Sequence, residues 1–143
     1  MASKLATVLD AIEATIAPLH DPPTLWVERN RDSPVDRFPT IVMQDSSDEG
    51  GVTYTLTHQE RWAELTCVVD LYVGDVPDLR GALDDLFVEV TAALLADTRL
   101  GGEVTRLELV SFESDVSQQA YSGPAFAGEI TLRAKYQTDF NVV

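Results

Sequence analysis

Between residues 62 and 73 the chain alternates strictly. Ala63, Leu65, Cys67, Val69, Leu71 and Val73 share one face, and Trp62, Glu64, Thr66, Val68, Asp70 and Tyr72 share the other. Period two with one wholly apolar face predicts a β-strand lying on a core. The mixed face predicts partial cover by a neighbouring element or subunit. The same period returns at 126–138, where Ile130, Leu132, Ala134 and Tyr136 oppose Glu129, Thr131, Arg133, Lys135 and Gln137. Two stretches carry helical spacing instead. Leu5, Val8, Leu9, Ile12 and Ile16 form one stripe, with Ser3 as its N-cap. Leu79, Leu83, Leu86, Phe87, Val90 and Leu94 form the other, with Asp75 as N-cap and Asp78 in the first turn.

Shorter apolar runs predict strands at 25–27, 38–44, 52–57 and 104–112, with Pro39 at the start of its strand, where a missing ladder donor is tolerated. Pro18 and Pro22-Pro23 end the first helix. Asp97 opposes the negative end of the second helix's dipole, so that helix stops near Ala96. Gly101-Gly102 then supplies freedom for a tight reversal. Segment 44–51 is polar and reads as a loop, and segment 113–124 reads as a long loop or an extended hairpin tip. The order is a helix, three or four strands, a helix and two strands, with hairpin-like connections. It predicts an α+β fold: a single, mostly antiparallel β-sheet with two main helices packed on one face, in one domain over residues 1–143.

Composition fits a soluble globular chain, with 45% hydrophobic and 24% charged residues. No apolar run is long enough to span a membrane, and the first residues lack a signal-peptide pattern. The net charge of −14 argues against phosphate-driven nucleic-acid binding, which needs basic side chains. It serves solubility, or it serves a surface that avoids DNA or meets a basic partner.

Candidate chemistry is sparse. A nucleophile needs an adjacent base, and the only histidines are His20, at a helix end, and His58, in a polar turn. Cys67 lies on the apolar face of the best strand and reads as a small core residue. One cysteine and two distant histidines do not make a zinc site. Asp45, Asp48 and Glu49 suggest a calcium loop, but Leu56 stands where the loop pattern needs Glu. No phosphate-binding glycine loop is present. These features predict no catalytic residue, cofactor or metal. The surface offers more. Arg133, Lys135 and Arg106 form a small basic stripe, explained either by pairing with Glu64 or Glu108 or by docking of an acidic neighbour. Trp62 and Tyr72 on the mixed face are candidate contacts, since aromatics are enriched in interface cores. The acidic loop with Asp45, Asp48 and Glu49 is a third candidate.

The second helix ends Leu-Leu-Ala-Asp-Thr-Arg-Leu-Gly-Gly-Glu-Val, two strands follow, and the last closes on Lys-Tyr-Gln-Thr. This arrangement resembles the tail terminator proteins (minor tail or tail completion proteins) of long-tailed bacteriophages and of gene-transfer-agent particles. Leu100-Gly101-Gly102 and Tyr136-Gln137-Thr138 carry the residue match, and the order of elements carries the rest. The resemblance implies a non-enzymatic virion protein, assembled in the bacterial cytoplasm and sited at the head–tail junction. It implies a homo-hexameric ring that caps the tail tube, ends its polymerisation and meets the head connector. DNA would pass through the lumen without specific binding. Six copies at −14 each would carry −84, and an acidic lumen would repel DNA phosphates. Two other readings stay open: a head-completion, connector or tube-like protein, and an acidic inhibitor-type module for a basic partner.

Overall fold

The computed structural model describes residues 4–22, 24–31, 37–44, 51–57, 60–74, 76–116 and 125–138. In order they form α1 (Lys4–Ile16), β1 (Trp26–Arg29), β2 (Thr40–Gln44), β3 (Gly51–Thr57), β4 (Glu60–Gly74), α2 (Leu79–Leu95), β5 (Arg106–Val116) and β6 (Ala125–Thr138). The 62–73 alternation lies within β4, which is the spine of one sheet. β6 pairs antiparallel along β4 from Arg61↔Thr138 to Gly74↔Ala125. The other edge of β4 is shared end to end. β2 lies opposite Val68–Tyr72, and β3 lies opposite Glu60–Thr66. β1 extends the sheet beyond β2, and β5 extends it beyond β6. β4 and β5 run the same way with β6 between them, so β4, α2 and β5 form a split β-α-β unit.

The fold is the α+β arrangement expected from the pattern. Both helices share one continuous core with the inward face of the sheet. Val8, Ile12 and Ile16 of α1 and Leu83, Val90 and Leu94 of α2 are fully buried against the sheet residues Val69, Leu71, Ile130 and Leu132. Each such side chain contributes roughly 1.5–3 kcal/mol by leaving water. Cys67 lies in this core, as its parity required.

Three expectations need correction. β1 and β2 are parallel, not joined as a hairpin, with Trp26–Arg29 in register with Thr40–Met43. Asp78, not Asp75, caps α2: its Oδ1 accepts the Gly81 amide at 3.0 Å. A cap must lie just before the first helical residue, and the helix starts at Leu79, where its apolar stripe begins. Asp97 is no mere liability. Past the end of α2 its two carboxylate oxygens accept the amides of Arg99 (3.1 Å) and Gly101 (2.7 Å) and so hold the reversal. Residues 113–116 extend β5, as the hairpin alternative for that segment requires, since β6 is long enough to pair with them.

In that reversal Leu100, Gly101 and Gly102 all have positive φ, at 50°, 68° and 94°. No atom crowds either glycine, so backbone conformation alone demands them there. Gly128 has a different reason. A Cβ on it would sit 2.6 Å from the ring of Phe112, which stacks on Phe87 of α2 with centroids 4.2 Å apart.

Candidate interaction surfaces

The face of the sheet turned away from the helices carries the polar positions of every central strand. Register, which periodicity alone does not reveal, decides which of them meet. At the end where β4 begins, Glu64 lies opposite Lys135, and Lys135 opposite Arg106. The Lys135 ammonium stands 5.3 Å from the Trp62 ring centroid, a cation–π contact. Arg133 Nε lies 3.2 Å from Glu64, and Arg106 Nε lies 3.4 Å from Glu108. Trp62, Arg133 and Lys135 therefore form one cluster. Its cations are met by Glu64, Glu108 and an aromatic ring, which is the pairing explanation of the basic stripe. The Arg106–Glu108 pair lies within β5 rather than across strands.

Tyr72 does not join them. Ten residues farther along β4, at about 3.3 Å per residue, it belongs to the opposite end. There Asp70 lies opposite Glu129, which lies opposite Glu113, so three carboxylates stand abreast on adjacent strands. Gln44 and Tyr72 donate hydrogen bonds to Asp70. Burial, and then the charge of Glu129, nevertheless push the Asp70 carboxyl up to about 6. Asp70 and its acidic row are the site feature that sequence reasoning missed. Three acids on separate strands signal nothing until pairing is known. Asp45, Asp48 and Glu49 lie outside the described residues, as does His58.

Partial cover of this face comes from the chain itself. Val42 and Thr40 are buried on it although no helix packs there. Beside them Glu28 of β1 meets Arg31 at 2.8 Å and Arg37 at 3.1 Å, and Arg37 lies over the Trp26 ring at 5.2 Å. The Thr40 hydroxyl donates to the Arg37 carbonyl at 2.6 Å. His20 acts as a structural tie, since its Nδ1 accepts the Val27 amide at 3.0 Å and fastens the turn after α1 to β1.

The sheet ends in bare edges among the described residues. β5 has a strand on one side only and bulges between Leu109 and Ser111, leaving Val110 exposed. Leu95 of α2, which lies beside β5, is also exposed at 48%, and Val88 of the same helix at 63%. On the far side β1 and β3 are each paired on one side only. Among the described residues no group of three His, Cys, Asp or Glu is placed to hold a metal ion. No helix there is long and apolar enough to cross a membrane.

No protein-family model and no curated protein matches this chain. Among solved structures, it is similar to a chain of the "Virion of native gene transfer agent (GTA) particle". The match has 10% identity, covers 94% of this chain and 92% of that chain, and has a TM-score of 0.46. At that level of likeness neither function nor assembly transfers from one chain to the other.

Proposed function

We propose that this chain is a non-enzymatic virion protein of the tail-terminator type, a ring subunit that caps the head-proximal end of a phage or gene-transfer-agent tail tube. The observation that carries the proposal is the pair of bare sheet edges on opposite sides of one subunit, one carrying the exposed Val110 and flanked by the exposed Leu95 of α2. Different patches on opposite sides make a heterologous contact, and such contacts close into rings when the rotation permits. The element order and the Leu100-Gly101-Gly102 turn support the same reading through the family resemblance. A hexamer is the number that resemblance implies. Its partners would be the tube protein on one ring face and the head connector on the other. Trp62, Tyr72, Arg133, Lys135 and the loop with Asp45, Asp48 and Glu49 are the contacts assigned to neighbours.

The acidic row of Asp70, Glu129 and Glu113 gives the large negative charge a place in this scheme. Turned toward the lumen, it would repel passing DNA and leave it free to slide. The test is to add the purified chain to polymerising tail-tube protein from the same genome. Tubes should stop growing, with a ring at one end in negative-stain images. Tubes of unchanged length with no terminal ring would overturn the reading.

A further inference from the structure

A cleft of about 470 Å³ opens between the turn that follows α1 and the first half of α2, at the end of β4. Its size is that of a site for one or two side chains or a small ligand. Leu25, Val73 and Leu86 form a buried apolar floor, and Val76 beside them is 44% exposed. Three exposed carboxylates also line the cleft: Asp21, Asp85 and Glu89.

Six other acids, by contrast, are neutralised by arginine. Asp10 and Glu13 share Arg29, Glu28 has Arg31 and Arg37, Glu64 has Arg133, Asp84 has Arg80 and Glu108 has Arg106. Among the described residues no cation pairs with Asp21, Asp85 or Glu89. An apolar floor beneath unneutralised carboxylates selects an aliphatic side chain flanked by positive charge, because the floor rewards burial and the rim rewards the cation. A second copy of this chain fits poorly. It brings a net charge of −14, and its exposed Leu95 lies beside Arg106, which already pairs with Glu108.

We propose that this cleft binds a basic, apolar-anchored segment of another protein, in which Lys or Arg flanks an aliphatic residue. The site stands apart from the ring reading. A chain that stays monomeric and caps no tube, yet binds such a segment, retains the cleft and loses the ring.

The experiment is a titration of the isotope-labelled full chain with a blocked tetrapeptide, Arg-Leu-Leu-Arg, followed by NMR, with Glu-Leu-Leu-Glu as control. Saturable shifts are expected at Val73, Val76, Ala82 and Leu86, from the basic peptide only. The paired substitution Asp85→Lys and Glu89→Lys should weaken binding roughly tenfold or more, with an otherwise unchanged spectrum. Salt should weaken it several-fold, as screening of rim charges requires. The proposal is overturned by the absence of saturation at millimolar peptide, or by an equal response to the acidic control. It is also overturned if the same shifts appear when the chain alone is concentrated, which would make a second copy the occupant.

Discussion

The two ends of the sheet's outer face are built from the same strands yet have opposite electrostatic characters. Where β4 begins, Arg133 meets Glu64, Arg106 meets Glu108 and Lys135 rests over Trp62. Where β4 ends, Asp70, Glu129 and Glu113 stand side by side without an intervening cation on those strands. Like charges directly opposite on a sheet are unfavourable, and opposite charges there are favourable. The first end is therefore arranged as a self-satisfied surface, and the second holds charge at a cost in stability. Such a cost points to use of the acidic end, in keeping with the cleft that opens at the same end of β4 on the helix side.

Substitutions can break or sharpen that contrast, and the largest effects lie beneath it. Leu94 is sealed in the core near the balanced end, whereas Leu86 lines the cleft near the acidic end. Leu94→Ala should cost about 3–5 kcal/mol by opening a closed cavity, and Leu86→Ala about 2–3 kcal/mol because water can enter the enlarged cleft. Chemical denaturation of both variants checks the order. Equal losses would show that the cleft gives no relief.

Gly101→Val, in the reversal that leads into β5 at the balanced end, forces a β-branched residue to a φ of 68°. It should cost about 1–3 kcal/mol through backbone strain. A normal melting curve together with failure to cap tubes would instead make this turn a contact surface.

Asp70→Asn tests the acidic end directly. The folded chain holds the Asp70 proton more tightly than the unfolded chain, with its pKa pushed from 3.8 to about 6. The folded state therefore binds more protons between these values, and the contribution of this group falls as pH rises through that window. Asn removes the ionisation, so at pH 7 the variant should be more stable than the parent by about 1–3 kcal/mol. The difference should shrink toward zero near pH 4. Paired denaturation curves at the two pH values check this, and a pH-independent difference would show that Asp70 is not the strained group.

Trp62→Ala at the balanced end should have the smallest effect. Loss of the Lys135 contact is worth about 0.5–1 kcal/mol on an exposed face. If the same change abolishes ring formation while barely moving the melting point, Trp62 is a neighbour contact rather than a cover for the sheet.

Much of the fold was legible because it follows from periods. The apolar parity of β4 and β6 and the two helical stripes required a sheet with helices on one side, and Cys67 fell into the core by parity alone. The parallel pairing of β1 with β2 was not legible, because short strands carry no mark of direction. The site was legible only in part. Arg133 and Lys135 share a face of one strand in any register, and their partners Glu64 and Trp62 share a face of another. That Trp62 meets Lys135 while Tyr72 sits far away beside Asp70 depends on how two strands slide along each other.

The sequence by itself determined the class of fold, the buried faces, the end of α2 and the need for glycine at 101 and 102. Each is a local matter of side-chain period or backbone φ. Only the tertiary structure decided which charges meet. Register set Asp70 against Glu129 and Glu64 beside Arg133, and the packing of the turn after α1 on α2 enclosed the cleft beside Asp85 and Glu89. Electrostatic energy depends on distances between residues far apart in the chain, and no pattern along the chain records those distances.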